Sequence, residues 1–256
     1  MTVIFQYDRT LDGMLTAVFD AYSRKSFPQQ LLGTDEHLPM FYDEVHQVVT
    51  DEEKSRRVWR ALQKKLSGEA LSCLTVSFLS ESRELDMPFF RYICKNVDSA
   101  RSMERNFADP DILFVTNMAR KVRYERLRMM QFLRFQKAAD GTYFSMMEPI
   151  YNVLPLCIAH FKDRFADQPF VIYDKRRHYG YYYHQGTLTS ISFADEKLPH
   201  FLSGKLDDSL LHKDEKLFQE LWRTYFKAIC IKERINPRRQ RQEMPVRYWK
   251  YLTEKQ

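Results

Sequence analysis

Residues Phe132–Met147 read FLRFQKAADGTYFSMM, and this stretch decides the fold class. FLRFQK (Phe132–Lys137) and TYFSMM (Thr142–Met147) both suit strands, with Asp140-Gly141 between them. An Asp-Gly pair tolerates positive φ, so flanked by such runs it signals a hairpin. Upstream of Gln131 the apolar residues recur at helical spacing. Downstream, strand-like runs alternate with turns.

Working outward, Val153–Phe165 reads as a helix. Phe170–Asp174, Tyr179–His184 and Leu188–Phe193 follow as three strands, joined by the basic turn Lys175–His178 and by His184-Gln185-Gly186. A long helix from about Asp214 to Glu233 is expected to bury Leu217, Phe218, Leu221, Trp222, Tyr225 and Ile229. Asn236-Pro237 ends it. Towards the N-terminus, Val3–Tyr7 opens the chain as a strand, and Asp8 or Thr10 caps a helix to about Arg24. Phe27–Pro39 is a connection broken by Pro28, Gly33 and Pro39. Val45–Val49 is a second strand, and Thr50 with Glu53 makes a capping box for the next helix. Further helices are expected over Gly68–Ser80, Pro88–Met103 and Asp109–Met130. The class is α+β: a mostly helical N-terminal part, then an antiparallel sheet with packed helices. Residues 1–130 and 131–256 are its two parts, either separate or intertwined in one domain.

The chain has 256 residues, 44% of them hydrophobic, enough for one large core or two modest ones. Charged residues at 29% with only seven glycines exclude a disordered or fibrous chain. The net charge of +6 is uneven: Met1–Met118 carries 14 Lys+Arg against 18 Asp+Glu (−4), and Ala119–Gln256 carries 26 against 16 (+10). Such asymmetry points to an anionic partner for the second half. No apolar run is long enough to span a membrane, and the N-terminus has no charged-then-apolar leader pattern, so a cytoplasmic protein is expected. Cys73, Cys94, Cys157 and Cys230 are scattered singly, which suits buried thiols in a reducing compartment and no metal site.

The C-terminal run NPRRQRQEMPVRYWKYLTEKQ packs Arg238, Arg239, Arg241, Arg247 and Lys250 around Tyr248, Trp249 and Tyr251. Guanidinium groups pair phosphate oxygens bidentately, and aromatic rings stack on unpaired bases. Two more basic features accompany it. On the helix near Ala119–Met130, Arg120, Lys121, Arg123 and Arg128 lie opposite an apolar face of Val115, Met118, Ala119, Val122, Met129 and Met130. That is either a solvated helix face or a phosphate-contacting stripe. Arg126 falls inside the apolar sector, where it needs an acid or a phosphate. Lys175, Arg176 and Arg177 sit at a hairpin turn before Tyr179, Tyr181 and Tyr183, which share one strand face. Those tyrosines are either ordinary strand formers or a stacking surface.

For catalysis, His160 with Arg164 and Asp167 is the one local cluster, and Glu148 and Asp174 are the best isolated carboxylates. A structural histidine capping the helix–strand junction is the simpler reading of the first. Phosphate-binding glycine loops, dinucleotide fingerprints, zinc-deaminase and zinc-protease motifs and calcium loops are absent from the sequence, so no cofactor is expected.

MEPIYNVLPLCIAHFKDRFADQPFVIYDKRRHYGYYY (Met147–Tyr183), the tail NPRRQRQEMPVRYWKYLTE (Asn236–Glu254) and TLDGMLTAVFDAY (Thr10–Tyr22) resemble a bacterial family of uncharacterised activity, described as probable DNA metabolism or DNA repair proteins. The matching positions are His160, Arg164, Asp167, Gln168, Asp174, Arg238, Arg239, Met244, Pro245, Arg247, Tyr248 and Trp249. The resemblance implies a DNA context and a partner, either a radical-SAM protein or a uracil-DNA-glycosylase-like domain. It supplies no catalytic residues. The chain has no C-x-x-x-C-x-x-C motif and so is not itself the radical-SAM component.

These observations lead to an expected DNA-binding accessory protein in DNA repair or modification. Its contacts would come from Arg120, Arg123, Arg128, Arg164, Lys175, Arg176, Arg177, Tyr181, Arg238, Arg239, Arg241, Arg247 and Trp249. A lyase or hydrolase using Glu148, His160 or Asp174 is one alternative. A scaffold without DNA contact is the other.

Overall fold

The computed structural model describes residues 2–193 and 206–255, and the chain forms two compact units, Met1–Arg123 and Tyr124–Gln256. Helices and two sheets with packed helices make it α+β.

In the first unit, β1 (Val3–Tyr7) lies between β2 (Gln30–Gly33) and β3 (Glu44–Gln47), parallel to both. All five residues of β1 are buried, as a strand covered on both faces requires. Helix α1 (Leu11–Arg24) starts where the Thr10 hydroxyl accepts from Gly13 N at 2.9 Å. Phe27–Pro39 is therefore not all connection, because QLLG forms β2 inside it. The cap of α2 (Glu52–Lys65) is Asp51, which accepts from Lys54 N, and not Thr50, whose hydroxyl donates instead to Asp8. Helices α3 (Gly68–Phe78) and α4 (Asp86–Asp98) complete the packing around Ile4, Phe5, Met14, Leu62, Leu74 and Phe89. Helix α5 (Pro110–Phe132) starts in this unit, with Asp109 accepting from Asp111 N and Ile112 N, and continues into the second. It runs through Phe132, so the strand expected over Phe132–Lys137 shrinks to β4 (Gln136–Lys137).

The second sheet has the order β4-β5-β6-β7-β8, with β5 Tyr143–Met147, β6 Phe170–Asp174, β7 Tyr179–His184 and β8 Thr187–Ile191. Gly141 at φ 88° turns the β4–β5 hairpin, and Gln185 and Gly186, both at positive φ, turn β7 into β8. The sheet is not wholly antiparallel: β5 and β6 run parallel because α6 (Leu154–Phe165) carries the chain back between them. Phe135, Phe165, Phe170 and Tyr183 form a continuous ring cluster with centroid separations from 4.4 to 5.5 Å.

Helix α7 (Glu215–Ala228) departs most from expectation. Leu217, Phe218, Leu221, Trp222, Tyr225 and Ile229 are exposed, not buried, each at 40% or more. Polar contacts hold the helix, one at its first residue and one through the indole N–H of Trp222. Buried Glu215 accepts from Lys137 N at 3.1 Å, and Trp222 Nε1 donates to Glu254 at 3.0 Å. An apolar stripe tells that a helix has a face to cover, not that this chain covers it.

Candidate nucleic-acid interface

The C-terminal tail has two fates. Its second part, the 3-10 turn Val246–Tyr251, is an anchor with Tyr248, Tyr251 and Leu252 buried, so two of the aromatic rings expected to stack on bases fill the core. Arg247 Nη2 donates to Glu125 Oε2 at 2.6 Å, the Tyr248 hydroxyl donates to Glu125 Oε1 at 2.6 Å, and Ile150 N donates to the same oxygen at 2.9 Å. Glu125 is buried on α5, as Asp111 is in its first turn, whereas Arg126, placed by periodicity in the apolar sector, is exposed. Trp249 Nε1 donates to the Met244 carbonyl at 3.0 Å.

The first part of the tail is α8 (Pro237–Glu243), capped by Asn236, which accepts from Arg239 N. Arg238, Arg239 and Arg241 are exposed on it, and no acid among the described residues pairs with them.

The basic turn after β6 is likewise tied inward. Arg177 Nη1 meets buried Asp174 at 2.9 Å, and Arg177 and Arg176 also donate to the Ile150 carbonyl at 2.9 and 3.2 Å. Burial raises the Asp174 carboxyl above its ordinary range, and the bonds from Arg177 only partly offset that. Glu148 lies 3.4 Å from Lys175 and 2.6 Å from Lys250. Burial opposes its ionisation, yet the Lys250 hydrogen bond and the two ammonium charges prevail and hold it below the usual range. Both candidate carboxylates are thus occupied by cations. His160 is half-buried with its ring edge-on to Phe161. Arg164, one turn further on, is exposed.

Arg164 and Gln168 line an open cleft of about 620 Å³ with Arg134, Phe135, Tyr143, Phe165, Phe218 and Trp222. Arg134 is fixed there by Glu254, at 2.6 Å, and lies over the Trp222 ring at 5.7 Å. The cleft offers exposed ring faces, amide groups and the guanidinium of Arg164, which no acid among the described residues pairs with. Such a surface can stack an unpaired base and contact its phosphate. Sequence reasoning missed Arg134, Phe218 and Trp222. The signal was present, because Arg134 interrupts the run of aromatics in FLRF, but the stretch reads as strand.

Of the other predicted contacts, Tyr181 is half-buried against Tyr179, whose hydroxyl donates to Asn152, while Tyr183 is buried and donates to the Ala166 carbonyl. The tyrosine strand is packing more than platform. Arg128 covers the Tyr124 ring at 5.6 Å. In the first unit Arg120 is exposed, and Arg123 reaches the Ser72 hydroxyl at 3.4 Å. Cys73, Cys94 and Cys157 are buried as expected, but Cys230 is exposed. Among the described residues no group of His, Cys, Asp and Glu is placed to hold a metal ion, and no helix is long and apolar enough to cross a membrane.

Residues 83–254 match the model of DUF4130, a domain of unknown function. No curated protein and no solved structure matches the chain.

Proposed function

This chain belongs to the DUF4130 family, and from the surface of its second unit we propose that it is a DNA-binding accessory protein. It holds DNA for a partner enzyme that does the chemistry. The observation that carries this reading is the sorting of the tail's cations. Arg247 and Lys250 are committed to Glu125 and Glu148, while Arg238, Arg239 and Arg241 stay exposed with no acid partner among the described residues. Unpaired guanidinium groups are the ones available to phosphate, because a paired one must first give up its acid. The cleft at Trp222 and Arg164 adds ring faces suited to an unstacked base, which favours single-stranded or locally opened DNA. The sequence resemblance implies a radical-SAM or uracil-DNA-glycosylase-like protein as the partner.

Changing Arg238, Arg239 and Arg241 together to Ala tests this. Affinity is expected to fall alike for all sequences. The slope of log K against log salt should flatten by roughly 0.7 to 0.9 per lost phosphate contact. Unchanged affinity with unchanged slope counts against DNA binding by the tail.

The exposed apolar stripe of α7 favours a second reading, a scaffold that docks a protein and needs no DNA. Co-purification with a partner that survives nuclease treatment would support it. No observation favours the lyase or hydrolase. Glu148 and Asp174 are engaged by lysine and arginine, and His160 has no carboxylate against it among the described residues.

A further inference from the structure

The sheet of the first unit has two edges, and they differ. At one, Leu31, Leu32 and Gly33 of β2 are buried, and α4 packs on the strand. At the other, β3 has β1 as its only strand neighbour among the described residues, and Gln47 is exposed. Glu44 N donates to the Thr2 carbonyl at 3.3 Å and Val48 N to the Gln6 carbonyl at 2.8 Å. Alternate residues of a strand turn their backbone groups to the same side, so Glu44, His46 and Val48 face β1 while Val45 and Gln47 face outward. No N–H or carbonyl of Val45 or Gln47 has a hydrogen-bond partner among the described residues. Outward groups of this kind are a template for one more strand.

The surroundings of this edge say what kind of strand fits. Large apolar side chains stand at both of its ends: Met40 and Phe41 before it are 87% and 83% exposed, and Val49 after it is 79% exposed. Soluble proteins commonly guard an open edge with lysine or proline, and Asp43–Val49 contains neither. The charge around the edge has one sign. Residues 34–53 carry seven acids (Asp35, Glu36, Asp43, Glu44 and Asp51–Glu53) and no Lys or Arg. Arg9, Arg24 and Arg56 reach in from outside to Glu36, Glu44 and Glu52. Asp35 and Glu53 are exposed, with no cation against them among the described residues. A second copy of this edge would bring like charges together, whereas a cationic strand is matched to it.

We propose that β3 is a docking edge, to which an extended, lysine- or arginine-rich segment of a partner protein adds as a fourth strand. Its backbone pairs with the outward groups of Val45 and Gln47, and its apolar side chains cover Met40, Phe41 and Val49. The edge lies wholly within the first unit and is separate from DNA binding by the tail, so either reading can fail without the other. The probe is a blocked heptapeptide alternating lysine and valine. Its glutamate–valine counterpart and a version with proline at the centre are the controls. In amide hydrogen exchange of the full chain followed by NMR, the lysine peptide is expected to slow Val45 and Gln47 saturably, at one peptide per chain. Glu44 and His46, whose N–H groups already face β1, should not change. Added salt should weaken the effect. Both controls should bind at least about tenfold more weakly. Gln47→Pro should abolish protection of Val45 with little change in melting temperature, since Gln47 is exposed and its N–H points away from β1. Met40→Ser with Phe41→Ser should weaken binding and leave the ladder to β1 intact. Binding that leaves Val45 and Gln47 exchanging freely would reduce the contact to charge alone. That result, equal binding of either control peptide, or unchanged binding by the Gln47→Pro variant would each overturn the proposal. So would protection of the same two amides in the peptide-free chain that grows with protein concentration, the mark of a second copy.

Discussion

Glu125→Ala is the sharpest probe of how the tail is anchored. The Glu125 side chain is 2% exposed and receives three bonds: Arg247 at 2.6 Å, the Tyr248 hydroxyl at 2.6 Å and Ile150 N at 2.9 Å. Removing it leaves a buried hydroxyl and a backbone N–H without acceptors, and strands a guanidinium. Breaking a buried ion pair from one side typically costs about 3–5 kcal/mol. Arg247 is 34% exposed, so water can recover part of its solvation, and the lower end, about 3 kcal/mol, is expected. Tyr248→Phe removes the bond to Glu125 and the one its hydroxyl accepts from Arg247 Nη2 at 3.0 Å, but leaves Glu125 its other two donors, so it should cost only about 1–2 kcal/mol. The two changes touch the same oxygen and should not add. A double-mutant cycle should give a coupling of about 0.5–3 kcal/mol.

Urea unfolding followed by tryptophan fluorescence measures this. In a Trp59→Phe background the signal comes from Trp222 and Trp249, both in the second unit. At an m-value of about 1–3 kcal/mol/M, the Glu125→Ala midpoint should fall by about 1–3 M. A loss below about 1 kcal/mol at unchanged m would refute the idea that this carboxylate holds the tail. Additivity of the two changes would refute the shared-acceptor geometry.

Three further outcomes are expected. Gly180→Ala should destabilise by about 1–3 kcal/mol, since a Cβ there would lie 2.4 Å from the Ile172 carbonyl oxygen on the paired strand and backbone cannot swing aside; thermal melting checks it. Burial opposes ionisation of Glu254, but bonds from Arg134 and Trp222 hold its folded-state value below the ordinary range, so its contribution is complete above that range and is lost as pH falls through the folded value. The melting temperature should therefore drop on acidification below about pH 4, and Glu254→Gln should lower it at pH 7 and flatten that acid limb. In native protein a thiol reagent should label Cys230 rapidly and the other three slowly, because burial pushes the Cys94 and Cys157 thiols up to about 12 and also raises Cys73; mass spectrometry before and after denaturation counts them.

Elements closed by local turn chemistry were legible in the sequence, and those closed by distant packing were not. Asp140-Gly141 and Gln185-Gly186 mark their hairpins because their residues accept positive φ. The four residues of β2 look like connection, since Pro28 and Gly33 bound them and a lone short strand has no periodicity to show. The parallel pairing of β5 with β6 was available in the order strand, helix, strand, but the hairpin signal before it drew the reading to an antiparallel sheet. On α5 a rotation of one residue exchanges Glu125 for Arg126 as the buried charge of that turn, finer than a periodicity argument resolves. On α7 the sequence gives the apolar face correctly and is silent on whether anything in the chain covers it.

The same distinction governs the charge argument. A net +10 in the second half counts every cation equally, but a cation already matched to a buried acid does not act as a free charge at the surface. Arg134, Arg177 and Arg247 face Glu254, Asp174 and Glu125, whose side chains are 0–2% exposed, so each pair is close to neutral as seen by a phosphate. Moving such an arginine onto DNA would leave its acid buried and unpaired, which is costlier than the phosphate contact is favourable. If the tail binds DNA, the salt dependence should therefore follow the unpaired arginines of α8, with Arg164 at the cleft, and not the total charge of the unit. Motif composition put Arg247 and Arg238 on equal terms. The buried carboxylate one hundred and twenty-two residues away separates them, and nothing local to the tail records it.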